Sequence, residues 1–456
     1  MKHDGGLFQA LLTRRSRRVG AGMTVPGGPL AHRATSDPQP LSEEETAALV
    51  FAAAGFTGGA LFDWDLDPSA GGHMLATLVG RTVPSAEAAH TVALFVINDD
   101  GAWLMPRPCD VEPAVARQAA RLAANGDYLA AWRLTRIQVA DRRATPSLQW
   151  PHNIPANRWS AFAPGTTTFL PVAEHSFFFI NALTTLMGTQ TGMGVLDDRR
   201  MFLPAGIGRW LQRKGGHLQD DPRTLASLPL AMGERIISEM ACAEMGAMLQ
   251  NLGLAAEVMG LGGFVLYAHT DLGNAEQTWF DVLGFRTEQT PLTRLFGLPL
   301  PAALMLRARG QDIPIRTPVG LEIDGEPVLK SYRPPYYPSM RAAVEAVVAH
   351  KLGPTGTYRA GTDEGRWRDP TTVAAAAAPV EPEALEATVA FCEYVWDRYG
   401  RFPVHVGAFH SLLAFQVSHL DLDFYAEHYR PDALTDAHRN HHHAWHAAQR
   451  PAATVG

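Results

Sequence analysis

Cysteine is scarce in this chain: three in 456 residues, at Cys109, Cys242 and Cys392, far apart and with no CxxC pair. That excludes a disulfide-stapled scaffold and a cysteine-based zinc ribbon, and it fits a cytoplasmic protein in a reducing compartment. No stretch approaches about eighteen uncharged apolar residues, so no membrane span is expected. Charge of one sign is not in excess either. The 39 Lys and Arg against 46 Asp and Glu leave a formal charge of -7, which argues against nucleic acid as a partner. No period of roughly 20 to 50 residues recurs, which excludes a repeat array. Ser16-Arg17-Arg18 resembles a twin-arginine signal, but glycine and proline follow it where an apolar stretch is needed, so export is not expected.

What is present is a globular composition, 46% hydrophobic and 19% charged, in a chain long enough for two or three lobes. The longest apolar element runs from Glu239 to Met259, with Leu249, Leu252, Ala256 and Met259 at helical spacing and no proline. It predicts a buried helix roughly 30 Å long, enough to cross a domain or form half of a subunit interface. Gly246 and Gly253 inside it each cost about 1 kcal/mol against alanine, which points to tight packing. Gly260, Gly262 and Gly263 then supply a C-cap and a turn where the backbone can approach something flat.

Before that helix, Leu7–Leu12 reads as a short amphipathic turn leading into four arginines within Arg14 to Arg18. Such a cluster is either a solvated tail or an anion site, since guanidinium forks and a serine hydroxyl match phosphate oxygens. Ser42 with Glu45 is a capping box opening a helix over Thr46–Ala54. Asp63, Asp65 and Asp67 read as solvated turn residues, because the glycine and terminal glutamate of an EF-hand are missing. Thr91–Ile97 predicts a buried strand, Asn98–Gly101 a hairpin turn and Ala102–Met105 the return. Glu112–Trp132 reads as one helix, Arg142–Pro164 as a connection, and Phe169–Leu186 as an apolar block around Glu174 and His175.

Further on, Arg209, Arg213, Lys214 and His217 read as a solvated basic patch, Pro301–Arg307 as a strand, and Glu381–Tyr399 as a helix. Nine of the 18 histidines fall between His405 and His446. His419, Asp421, Asp423 and His428 lie close together as candidate metal ligands, but the spacing of the first three is strand-like. Neighbours in His441-His442-His443 point about 100° apart on a helix and cannot all face one ion. These histidines read as solvated or structural, and no metal is predicted.

Three segments together resemble the flavin-dependent nitroreductase family, in particular its larger branch with the dehydrogenases of azole-forming peptide biosynthesis. The first is Arg14-Arg15-Ser16-Arg17-Arg18, similar to the family's R-R/H-S-x-R motif. The second is Arg81-x-x-Pro84-Ser85 with His90 near a strand start. The third is Asn251–Phe264, NLGLAAEVMGLGGF, which looks like the family's N-x-x-L-A-A helix and G-L-G turn. The likeness covers about Leu7 to Pro318. It departs from the family at Ala88, where simpler members carry a flavin-reading asparagine, and at Thr91, where they carry proline. The late basic residue that closes the phosphate site is also missing, with Arg316 and Arg333 as candidates.

The resemblance implies an α+β fold, a nitroreductase-like mixed central sheet wrapped by helices around the long buried helix. It places an FMN-binding domain over residues 1–330 with an insertion around 110–165, and a C-terminal helical extension over 331–456. FMN would be held by Arg14, Arg15, Ser16, Arg18, Pro84 and Ser85, with a backbone N–H near Gly262 or Gly263 on the flavin. NAD(P)H would donate hydride to the flavin in a ping-pong cycle with a small-molecule or peptide acceptor, in a homodimer. No protein nucleophile is needed, and no catalytic side chain is assigned. The alternative is a relative that has lost its cofactor and binds a protein partner.

Overall fold

The β-branched run after Thr91 forms strand β1 (Val92–Asn98), and Asn98 Oδ1 accepts the Asp100 N–H in the tight turn before β2 (Gly101–Met105). Together with β3 (Ile137–Ala140), β4 (Thr167–Glu174), β5 (Gly262–Tyr267), β6 (Phe409–His410) and β7 (Leu413–Ser418) they make a seven-stranded sheet. Its order is β5-β7-β4-β1-β2-β3, with β6 beside β4. In this computed structural model residues 6–61, 76–150, 152–221, 223–224, 227–268, 278–295, 298, 300–360 and 367–449 are described. Asp63, Asp65 and Asp67 lie outside them.

The fold is mixed α/β, a central sheet flanked by helices. Every ladder of the sheet is antiparallel, where a mixed sheet was expected. Nor is the C-terminal third helical alone: β7 sits between β5 and β4, so residues far beyond 331 complete the middle of the sheet. On one face lie α2 (Glu43–Ala54), α3 (Pro113–Ala124), α4 (Tyr128–Thr135) and α6 (Leu230–Met259), sharing a core with β1, β4 and β7, and α1 (Leu7–Thr13) packs on α6. The capping box at Ser42 and Glu45 is present. Asn125-Gly126-Asp127 splits the helix expected over Glu112–Trp132, with Asp127 capping α4.

The other face packs on a three-stranded antiparallel sheet of Phe285–Pro291, Pro314–Ile323 and Glu326–Lys330, through Phe95, Phe280, Phe285 and Phe409. A second core joins α5 (Ser176–Leu186) to α7 (Met340–Leu352) and α8 (Pro382–Tyr399). Glu174 serves the start of α5, accepting the Ser176 and Phe177 N–H groups at 2.7 and 3.0 Å, and Arg107 neutralises it at 2.8 Å. Leu300–Ala308 is a helix, correcting the strand expected there.

α6 starts nine residues earlier than expected and is about 45 Å long. One side is buried; the other is not. Met232, Met240 and Val258 are 41, 40 and 60% exposed, and Ala243, Gly246 and Gln250 lie on the same open side. A Cβ at Gly253 would sit 3.2 Å from Arg14 Cδ, as tight packing predicts, whereas one at Gly246 meets no atom within 4 Å. α6 ends at Gly260 in a left-handed C-cap (φ 76°), against which α9 (Asp436–Gln449) docks.

Candidate functional site

The arginine segment crosses the C-terminal end of α6. Arg17 is buried: its Nη1 pairs with Glu257 Oε2 at 2.6 Å, its Nε donates to the Ala433 carbonyl at 2.9 Å, and its backbone bridges Gly263. Its neighbours turn outward. Arg18 donates to Asn157 Oδ1 at 2.9 Å and lies 4.5 Å from the Phe264 ring centroid. Arg15 reaches only the Leu12 and Arg14 carbonyls, at 3.0 and 2.8 Å, and Ser16 is exposed. Among the described residues Arg14, Arg15 and Arg18 form no ion pair. Beside them opens a cavity of about 710 Å³, walled by Arg15, Ser16 and Arg18 and by Trp159, Tyr425 and Tyr429. Small-molecule sites fall in the range of roughly 300 to 1,000 Å³.

Gly262 and Gly263 adjoin this segment, but the close approach they permit is to protein. A Cβ at Gly262 would come within 2.3 Å of Leu420 Cδ2, and one at Gly263 within 2.6 Å of Phe415 Cε1.

Pro84 and Ser85 are elsewhere. Ser85 Oγ donates to Glu244 Oε2 at 2.8 Å and accepts the His90 N–H at 2.9 Å, so the hydroxyl is turned into the protein. Glu244 also accepts the Thr91 and Val92 N–H groups, yet its burial raises the carboxyl's pKa against these bonds and the nearby Arg81. Arg81 donates to the Ala54 and Val92 carbonyls at 2.8 and 3.0 Å. Next to this network Glu87, Ala88 and His90 hold φ of 54, 49 and 47°, left-handed backbone that ordinary side chains adopt at a cost of about 1 kcal/mol or more each. Ala88 and His90 line a second opening of about 550 Å³, together with Arg81, Pro84 and Ser85. Thirteen residues of α6 separate Glu244 from Glu257, about 20 Å. The chain therefore brings Arg14–Arg18 to Gly262–Gly263 and leaves Pro84 and Ser85 about half-way to the other end of a long rod.

No family model matches this chain, and no curated protein does. Among solved structures, a protein from Ralstonia eutropha JMP134 assigned as a nitroreductase, determined at 2.00 Å, is similar at 17% identity over 62% of this chain and 77% of that one, with a TM-score of 0.26. No residue role is carried over from it. Among the described residues no helix is long and apolar enough to cross a membrane.

Several site residues escaped the sequence reading. Glu244 and Glu257 anchor the two segments, and a carboxylate within an apolar helix is itself a signal that a buried cation or N–H group awaits it. Asn251, by contrast, opens the third family-like motif, and it ties α6 to α2 and to the Arg81 segment by donating to the Ala52 and Thr82 carbonyls at 3.0 and 3.2 Å. Asn157, Trp159, Tyr425 and Tyr429 carried no sequence signal, because only the tertiary fold sets them beside the arginines.

Proposed function

We propose that the chain is a cytoplasmic FMN-dependent oxidoreductase of the nitroreductase type, working as a homodimer. The observation that carries this reading is the pair of guanidinium groups without ion-pair partners among the described residues, Arg15 and Arg18, flanking the exposed Ser16 on the wall of the 710 Å³ cavity, with the exposed Arg14 next in the chain but outside that wall. Clustered cations repel one another, and a doubly charged phosphate relieves that repulsion through charge-assisted bonds of about 1.5–3 kcal/mol each. Arg17 is excluded from this role, since Glu257 already holds it. The aromatic wall of Trp159, Tyr425 and Tyr429 offers apolar area next to the cationic mouth. Bound FMN would supply two-electron transfer between NAD(P)H and a small-molecule or peptide acceptor. The protein's own part is to hold the phosphate, orient the cofactor and exclude water.

A second reading, a relative without cofactor that binds a protein partner, is favoured by Ser85 pointing at Glu244 and by Leu420 and Phe415 filling the space at the two glycines. The visible spectrum of the purified protein, before and after excess FMN and then anaerobic NAD(P)H, separates them. One FMN per chain, bleached by the nicotinamide and lost in the Arg14→Ala, Arg15→Ala double variant at unchanged far-UV circular dichroism, is expected. A wild-type protein that takes up no FMN overturns the proposal.

A further inference from the structure

Three elements distant in sequence converge beside the C-cap of α6. Glu45 stands in the first turn of α2, His419 follows β7, and His441 lies on α9. Glu45 Oε2 serves the capping box, accepting the Ser42 N–H at 2.7 Å, and its Oε1 faces His441 Nε2 at 3.2 Å. His441 Nε2 is 3.1 Å from His419 Nδ1, and His419 Nε2 is 3.5 Å from Glu45 Oε2. The two imidazoles lie nearly parallel, with centroids 5.0 Å apart. His419 is buried, and Glu45 and His441 are nearly so, at 16 and 21% exposure.

We infer that Glu45, His419 and His441 form a binding site for one divalent transition-metal ion of the zinc type. Two imidazole nitrogens and a carboxylate oxygen are the donor set such ions take, and bonds of about 2.0–2.1 Å in a tetrahedron put ligand atoms about 3.3 Å apart. His441 Nε2 lies 3.1 Å from His419 Nδ1 and 3.2 Å from Glu45 Oε1, close to that edge, and one ligand atom from each of the three residues lies within 4.8 Å of the other two. A cavity of about 280 Å³ beside His419 and His441, with Asp421, Asp423 and His442 on its wall, leaves room for water in the fourth position.

The position of His441 is built in. α9 reaches it by docking on the glycine C-cap of α6, where a Cβ at Gly260 would meet the Ala437 carbonyl at 2.3 Å and His441 Cβ at 2.8 Å. The ion therefore fastens the C-terminal helix to α2 and to the sheet. This site is independent of the FMN reading, sharing neither the arginines nor the larger cavity.

The test uses the full chain, stripped by chelation and dialysis and titrated with Zn²⁺ alone against a chromophoric competitor while Tm is followed. One Zn²⁺ per chain and a raised Tm are expected, because an ion bound only by the folded state stabilises it. Glu45→Gln keeps the capping box, which accepts glutamine, and removes the charged ligand. It and His419→Ala should each weaken Zn²⁺ by at least about tenfold and abolish the Tm rise. His443→Ala, on the exposed side of the histidine run, should change neither. No uptake, uptake indifferent to Glu45→Gln and His419→Ala, or uptake lost in His443→Ala would each overturn the inference.

Discussion

His90 shows how far a single side chain is committed by its surroundings. It is 3% exposed, its Nε2 donates to the Val79 carbonyl at 2.9 Å, and burial, reinforced by the Arg81 guanidinium, pulls its pKa from 6.5 down to about 3. In the folded protein the ring is neutral above that value. The unfolded chain takes up a proton there as pH falls below 6.5, so the unfolded state binds more protons and stability drops on acidification between about 6.5 and 3, by about 1.4 kcal/mol per pH unit for this residue. Urea unfolding across that window should therefore show a shallower pH dependence in His90→Gln, by about one proton. An unchanged slope would mean that the ring titrates normally in the fold. The importance of His90 was legible in Arg81-x-x-Pro84-Ser85 and the strand start behind it; its neutral state was not, since burial by distant strands leaves no local mark.

At the scale of elements, local signals translated well and long-range ones poorly. The capping box at Ser42 and Glu45, the Asn98–Gly101 turn and α8 all rest on short-range chemistry that a sequence displays. Leu300–Ala308 was misread because a short apolar run fits strand and helix alike, although Ala, Leu, Met and Arg favour helix there. Two helix ends make a quantitative contrast. Gly260 and Gly400 both cap in the left-handed region, at φ 76 and 65°, but a Cβ at Gly400 meets nothing within 4 Å while one at Gly260 would strike the Ala437 carbonyl. Gly400→Ala should cost about 1–2 kcal/mol, the left-handed penalty alone. Gly260→Ala must also displace α9, so it should cost more than that in chemical denaturation and make the C-terminal helix sensitive to protease. Equal costs would show that α9 does not depend on this contact.

For the whole molecule, the open side of α6 is the feature that a buried-helix reading could not anticipate. Amphipathicity is weak when both sides are apolar, so sequence alone does not say which side meets the chain's own core. Likewise β7 is a six-residue apolar strand whose place between β5 and β4 follows only from closure of the sheet. In one chain the arginine segment and Ser85 lie about 20 Å apart along α6, too far to share one phosphate. A twofold axis near Gln250, midway between Glu244 and Glu257, would lay two antiparallel α6 helices together and bring the arginines of one copy level with Arg81 and Ser85 of the other. Ala243, Gly246 and Gln250 would line the contact, which gives the exposed small residues a reason. Gly246→Arg tests this cleanly, because a side chain there meets no atom of its own chain and arginine improves helix propensity by about 0.8–1 kcal/mol. The proposed dimer predicts a native mass of two 49.5 kDa chains by light scattering, falling to one chain in Gly246→Arg with its circular dichroism intact. FMN uptake should fall with it, since each site would draw on both copies. A variant that keeps the doubled mass would place the interface elsewhere, and a variant that becomes monomeric yet binds FMN fully would confine the site to the arginine cavity of a single chain.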